Sequence, residues 1–366
     1  MGPETISFAR GAPSADILPA KAVREASARA LESDWKRALS YGTGRGHPGL
    51  AEWIAELHGV EPDRVMVTNG SMEAASLLFR HFVGAGDRVV VEQPSYDRTL
   101  LILDRIGAER VGVHLEADGV DVERLAEATA GVDTALVHVI PNFHNPAGCT
   151  LSQEKRERLV ALAAERGFYL FEDDPYRLIS FAGHAGQTML EMDQRDRVIH
   201  ASSFSKTVSP GVRVGYLVGP PNEIAALAKT AGETFISPNM LAESIVWELC
   251  RSGGLEENIA AVNGALRQRR DTLVEALREK LPEAEFVVPE GGYFLWLDLN
   301  DDVDTTKLLE TAKDEGVTFV AGPDFMIEGG SNSLRLSFAP VTVGEIPEGI
   351  DRIARALESV RARAAA

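Results

Sequence analysis

Short apolar runs and amphipathic stretches take turns from Arg64 to Glu172. Arg64–Thr68, Arg88–Glu92, Glu109–His114, Thr134–Ile140 and Phe168–Glu172 read as strands. Met72–Phe82, Asp97–Ile106, Val122–Thr129 and Gln153–Arg166 read as the helices between them, and in the first of these Ala75, Leu78, Phe79 and Phe82 recur at helical spacing. Strands that run parallel need a long crossover, and a helix usually supplies it. The alternation therefore predicts an α/β fold: a mostly parallel, seven-stranded-type sheet sandwiched by helices. In open sheets of this kind ligands lie outside the carboxyl ends of the strands. Gly70, Tyr96, Asn145 and Asp173 all fall at such ends, so the fold can bring them together.

Two more apolar runs, Arg197–Ala201 and Val214–Val218, read as strands of the same sheet. After Val218 the texture changes. Pro220–Gly232, Asn239–Cys250 and the long Glu257–Leu281 read as helices, followed by strands at Glu285–Val288 and Tyr293–Leu299. Helix Thr305–Glu315, strands Thr318–Ala321 and Leu334–Phe338, and helix Val343–Ala364 close the chain. This is an α+β pattern, suited to a smaller domain, and Glu257–Leu281 is long enough to bridge the two. At the other end, Ile6–Pro13 is extended, Ala20–Leu31 helical, and Tyr41–Leu50 too rich in glycine for a regular element. The expected division is an N-terminal arm that joins the small domain (1–38), a large domain (39–250) and a small C-terminal domain (251–366).

Net charge is −18, from 37 basic and 55 acidic side chains. A field of that sign repels nucleic acid and anionic membranes, so neither is an expected partner. Cys149 and Cys250 are the only cysteines, with no CxxC pair. That speaks against a disulfide framework or a cysteine metal site, and suits a reducing cytoplasm. Met1–Arg10 lacks a basic stretch followed by an apolar one, and no run reaches membrane-spanning length. The expectation is a cytoplasmic protein without a signal peptide or a metal.

The chemistry concentrates between Ser202 and Tyr216. Lys206 stands among small hydroxyls, with Pro210-Gly211 and Arg213 close behind. Lysine forms Schiff bases with carbonyl compounds. Serines and the planar fork of an arginine hold phosphate. A Schiff-base lysine beside a phosphate cradle is what pyridoxal 5′-phosphate requires.

The remaining motifs are Thr68-Asn69-Gly70-Ser71, Pro141-Asn142-Phe143-His144-Asn145-Pro146-Ala147-Gly148, Phe171-Glu172-Asp173-Asp174-Pro175-Tyr176-Arg177, Ser203-Phe204-Ser205-Lys206, Gly291-Gly292-Tyr293-Phe294-Leu295-Trp296 and Leu334-Arg335-Leu336-Ser337-Phe338. In this order they resemble the fold-type I enzymes that use pyridoxal phosphate, specifically the class I/II aminotransferases. The nearest likeness is to the branch of 2-aminoadipate and kynurenine/aromatic aminotransferases and the effector domains of MocR-type regulators.

The resemblance implies roles. Lys206 holds the cofactor and, once freed, serves as the base at the substrate's Cα. Asp173 pairs with the ring nitrogen; Asp174 is adjacent and could mimic it, but Tyr176 follows Asp173 in the family's D-x-x-Y spacing. Tyr176 and Asn145 bond the cofactor's 3′-oxygen, although Asn145 also suits a plain Asn-Pro turn. Gly70 and Ser71 open a helix toward the phosphate, joined by the backbone of Met72 (where the family often has Gln) and by Ser203, Ser205 and Arg213. Tyr96 stacks on the ring, or is an ordinary core aromatic. Arg335, set in an apolar strand, binds the substrate's α-carboxylate, or makes an internal ion pair. Gly11 lines the substrate pocket, as Asn145 and Arg335 do. Tyr41 reaches the neighbouring subunit's phosphate, so a homodimer is expected. Arg10 and Arg45 could receive an acidic side chain but are equally ordinary surface arginines, and His47 and His144 suit structural roles better than catalytic ones.

The function expected is transamination of an L-amino acid with a 2-oxo acid such as 2-oxoglutarate, in amino-acid metabolism or biosynthesis. The same residues would also serve elimination, substitution, cyclisation or oxidation at an amino acid. A regulator's effector domain would follow a winged-helix module, for which the fold's start near residue 6 leaves no room. A nicotinamide dehydrogenase is disfavoured because no strand is followed by G-x-G-x-x-G.

Overall fold

The computed structural model describes residues 5–183, 186–300 and 303–365. Its large sheet has eight strands. In spatial order they are Val65–Thr68, Gly215–Val218, Val198–Ser203, Tyr169–Asp173, Leu136–Val139, Arg88–Gln93, Glu109–Glu116 and Gly119–Val120. The block from Val198–Ser203 to Glu109–Glu116 is parallel throughout, whereas Gly215–Val218 runs antiparallel to both its neighbours. The mostly parallel sheet expected from the alternation is present. Gly119–Val120 is an addition to it, folding back antiparallel on Leu115 and Glu116; two residues are too few to carry a period.

Alternation along the strands feeds two cores. Val65, Val67, Val90, Val137, Val139, Leu170, Val198 and Val218 face one side. Met66, Val89, Val91, Leu136, Phe171, Ile199 and Leu217 face the other. The second side is covered by helix Ser71–Phe82, through Ala74, Ala75, Leu78 and Phe79, and by Pro221–Phe235, through Ile224, Leu227 and Ala231. Burial on both faces is why these strands are continuously apolar.

A further core lies beyond the sheet's carboxyl edge. It joins Ile6 and Phe8 to Leu266, Leu273 and Leu277 of helix Gly254–Lys280, to strands Phe294–Asp298 and Ser333–Ser337, and to Ile346, Ile350 and Ile353 of helix Glu345–Ala365. Helix Gly254–Lys280 contributes Leu255 to the sheet's core and Val262 onward to this one, so it spans both. The first residues divide between the cores: Ile6 and Phe8 join the far one, while Ala26 of helix Ala20–Ser33 packs with the sheet.

Two expected strands are corrected. Glu285–Val288 does not form one; only Glu285 bridges, to Asp298. Pro282 and Pro289 flank the run, and proline can neither donate to a ladder nor follow strand geometry freely. Thr318–Ala321 splits at Phe319. Val317–Thr318 pairs parallel with Ile6–Ser7, and Val320–Ala321 antiparallel with Ser333–Ser337. The break turns the Phe319 ring into the core.

Candidate active site

Strand alternation separates the neighbouring acids. Phe171 and Asp173 share one face of Tyr169–Asp173, and Glu172 takes the opposite one. Asp173 ends its strand at the cleft between the sheet and the far core, where its charge acts on Lys206, Tyr96 and Tyr176. Asp174 turns away. It is fully buried, accepts from Asn142 Nδ2 at 2.7 Å, and lies near Glu172, His200 and Arg156. Burial pushes its carboxyl up to about 6. Glu172 is occupied too, accepting from the Met189 and Leu190 amides and meeting His200 Nδ1 at 3.0 Å.

An anion cradle forms where Val65–Thr68 turns into helix Ser71–Phe82. Gly70 makes the turn at φ 87, and a Cβ there would lie 2.4 Å from Arg213 Nη2. The positive φ favours glycine, and a side chain there would push the Arg213 guanidinium aside. A Cβ on Gly215 would approach the Ser71 amide to 2.5 Å, so a second glycine keeps the helix mouth open. The first amides of a helix have no intrahelical acceptor and sit at its positive end. Arg213, itself in the left-handed region at φ 50, donates to Ser205 Oγ at 3.2 Å and to the Asn69 carbonyl at 3.3 Å. Ser203 Oγ accepts the Ser205 amide at 3.1 Å. Gly70, Ser71, Ser203, Ser205 and Arg213 thus gather around one turn, and Met72 follows Ser71 in the first turn of the helix.

Lys206 lies beside it. Its Nζ donates to the Gly11 carbonyl at 2.9 Å and stands 5.2 Å from the Tyr176 ring and 5.1 Å from that of Tyr293. Tyr293 Oη in turn donates to the Lys206 carbonyl at 3.1 Å. Burial lowers the amine to about 8, the Arg335 and Arg213 charges act in the same direction, and Asp173 opposes them. A lysine in this state is partly unprotonated near neutrality, as a nucleophile or base must be.

Arg335 projects from Ser333–Ser337. Nη1 donates to Asn145 Oδ1 at 2.8 Å and Nη2 to the Ala9 carbonyl at 2.7 Å. Its guanidinium lies 4.3 Å from the Phe294 centroid and 4.7 Å from that of Phe325. Burial holds it below the usual arginine range, and its Nε has no partner. The alternative of an internal ion pair is not realised: among the described residues Arg335 meets no carboxylate within ion-pair reach.

Tyr96 precedes helix Asp97–Ile106 at the cleft, and burial, with Asp97 and Asp173, pushes its phenol up to about 12. Tyr176 is buried against Tyr293 and Phe294. Gly11 faces Phe294, with room for a Cβ only 3.0 Å from the ring tip. Tyr41 is not in this chain's cleft; it is 83% exposed. Arg10 is exposed, and Arg45 is spent on the Asp63 and Val65 carbonyls. His47 caps helix Pro48–His58 and contacts Asp34. His144 accepts the Ala147 amide and meets Glu92 at 3.0 Å, which braces the loop carrying Asn145. The sequence carries no signal for His138 or for Glu92 as the partner of His144, because a lone histidine or acid in an apolar run reads as core, whereas Tyr293 stands in the Gly291–Trp296 motif and His144 has the structural role expected of it.

Three cations, Lys206, Arg213 and Arg335, converge on one cleft without an ion-pair partner among the described residues. The donors near Gly70 suit a phosphate, the amine suits an aldehyde, and Arg335 suits a carboxylate. The donor set fits pyridoxal phosphate carrying an amino acid. The model of the family "Aminotransferase class I and II" matches residues 3–353. The chain belongs to that family. It is 33% identical to "Aromatic-amino-acid aminotransferase 1" of Thermococcus litoralis, over 97% of this chain and 88% of that protein. Its structure resembles the kynurenine aminotransferase of Pyrococcus horikoshii, solved with PMP, with TM-score 0.93, 33% identity, and 98% and 92% of the two chains covered. It equally resembles the α-aminoadipate aminotransferase of Thermus thermophilus, solved with N-(5′-phosphopyridoxyl)-L-leucine, with TM-score 0.93, 32% identity, and 98% and 93% covered. This aminotransferase is a transferase of nitrogenous groups, and its expected cofactor is pyridoxal 5′-phosphate.

Proposed function

We propose that this aminotransferase moves the amino group of an L-amino acid to a 2-oxo acid such as 2-oxoglutarate, with its cofactor attached at Lys206. The convergence of three unpaired cations on the cleft of Asp173 carries this reading. Bound there, pyridoxal phosphate supplies an aldehyde that condenses with amines and a ring that accepts electrons from the substrate's Cα. Gly70, Ser71, Met72, Ser203, Ser205 and Arg213 hold the phosphate, Asp173 the ring nitrogen, and Tyr176 and Asn145 the 3′-oxygen. Tyr96 covers the ring. Arg335 grips the α-carboxylate, giving up its Ala9 contact to do so, and Gly11 borders the side chain. Lys206 Nζ then takes the proton from the substrate's Cα, an arrangement its lowered pKa supports.

The second subunit belongs to this proposal. Leu31, Trp35, Leu39 and Tyr41 expose 44%, 52%, 65% and 83% of their surfaces along one segment. Such an apolar strip marks an interface, and a homodimer would cover it and lend Tyr41 to the partner's cradle. On this reading a large domain (39–250) and a small one (251–366) share the arm 1–38, and helix Gly254–Lys280, whose two ends serve different cores, links them. Both cysteines are free and buried, in keeping with a reducing cytoplasm; no helix among the described residues is long and apolar enough to cross a membrane.

The test mixes purified protein, pyridoxal phosphate, single L-amino acids and 2-oxoglutarate. Glutamate and a new 2-oxo acid are expected together. Ammonia or pyruvate without glutamate would instead show elimination.

A further inference from the structure

One imidazole lies on the face of the large sheet that packs under helix Ser71–Phe82. Val91, His138, Phe171 and Ile199 stand side by side on adjacent strands, and the other three belong to the core under helix Ser71–Phe82. His138 is 0% exposed. It sits between Phe79 and Phe171, with ring centroids 5.9 and 5.1 Å away. Neither ring nitrogen has a hydrogen-bond partner. An apolar side chain would fill this slot without burying two polar atoms, so packing alone does not account for an imidazole.

Asp173 accounts for it. Asp173 follows Phe171 by two residues and shares its face, one step nearer the cleft. His138 Nε2 lies 3.5 Å from Asp173 Oδ2. Among the described residues no other side chain comes within ion-pair or hydrogen-bond range of that carboxylate. Contacts of this kind are long in empty sites and tighten on binding.

We propose that His138 is a positioning residue for Asp173. Its Nε2–H donates to Oδ2, fixes the carboxylate beneath the cofactor, and leaves the other oxygen for the ring nitrogen. The inference rests on the role given to Asp173 above. An aromatic box around the donor excludes water, so the imidazole has no competing acceptor and the carboxylate no competing donor.

The test compares the holoenzyme with His138→Phe, His138→Gln and Asp173→Asn. Cofactor affinity, the visible band of the bound cofactor and the melting temperature of the cofactor-free protein are measured. His138→Phe should weaken cofactor binding about tenfold and shift the band, with the melting temperature kept or raised. His138→Gln, whose Nε2 can occupy the donor position, should recover most of the affinity and the band. If His138→Phe matches the wild type while Asp173→Asn is impaired, the inference falls alone. If Asp173→Asn is also unimpaired, the role of Asp173 falls and takes the inference with it. Nitrogen NMR of the unmutated protein guards against a variant that fails to fold. The His138 Nε2 proton should be present and move downfield on titration with pyridoxal phosphate; an Nδ1–H tautomer that ignores the cofactor overturns the proposal.

Discussion

Arg335 Nη1 donates to Asn145 Oδ1 across 2.8 Å, and that bond ties the far core to the loop at the sheet's edge. Its partners are an amide oxygen and the Ala9 carbonyl, and among the described residues no acid lies within ion-pair reach. Replacing Arg335 with Gln should therefore cut kcat/KM for amino acids about 100-fold, or about 3 kcal/mol. Cofactor affinity should fall far less, because the phosphate cradle's donors do not touch Arg335 and only Asn145 loses a partner. Steady-state kinetics beside a cofactor titration checks both halves; weakened cofactor binding with an unaltered KM would contradict it.

Lys206→Ala should leave protein that gains no mass at position 206 after borohydride treatment with pyridoxal phosphate. Its turnover should drop roughly a thousandfold or more. In the wild type, attachment should quicken as pH rises, with its midpoint at about 8, where half of the amine has lost its proton. Mass spectrometry across a pH series measures that profile.

Asp173→Ala and Asp174→Ala should fail in different ways. The first removes the acid that faces the cleft, so cofactor affinity and rate should collapse while the fold stands. The second leaves Asn142 Nδ2 without its acceptor inside the buried network, which typically costs about 1–3 kcal/mol of stability. Denaturant melts and cofactor titrations on both variants should rank oppositely. Equal loss of affinity in the two would remove the distinction between them.

Glu243 gives a pH dependence. Burial raises its carboxyl from 4.5 to about 8, although it accepts the His47 amide. The folded state keeps that proton where the unfolded chain has released it. Stability should therefore fall as pH climbs from 4.5 to about 8, and stay flat beyond. Glu243→Gln keeps an acceptor for His47 and cannot ionise. Its melting temperature should exceed that of the wild type near about pH 9 and converge with it near about pH 4; each pKa unit corresponds to about 1.4 kcal/mol. Thermal melts at the two pH values decide it.

The large sheet was legible because its central strands are buried on both faces and their crossovers are amphipathic, signals that survive in a single sequence. Asp173 could be preferred over Asp174 from the spacing to Tyr176, and alternation along the strand places the two apart. His138 left no such trace. Its role depends on Phe171 and Asp173 of the next strand, a relationship that exists only in register. Glu285–Val288 looked like a strand because its composition is right, yet prolines at both ends leave it one bridge. Thr318–Ala321 looked continuous because a split at Phe319 changes partners without changing composition.

The carbonyls of Ala9 and Gly11 are held by Arg335 and Lys206. The stretch around Ala9 and Gly11 therefore borders the cleft, directly after Ile6 and Phe8 have entered the far core. Trimming it would remove both carbonyls together with the buried Phe8 ring and the pairing of Ile6–Ser7 with Val317–Thr318, so the cleft's wall and the far core stand or fall as one.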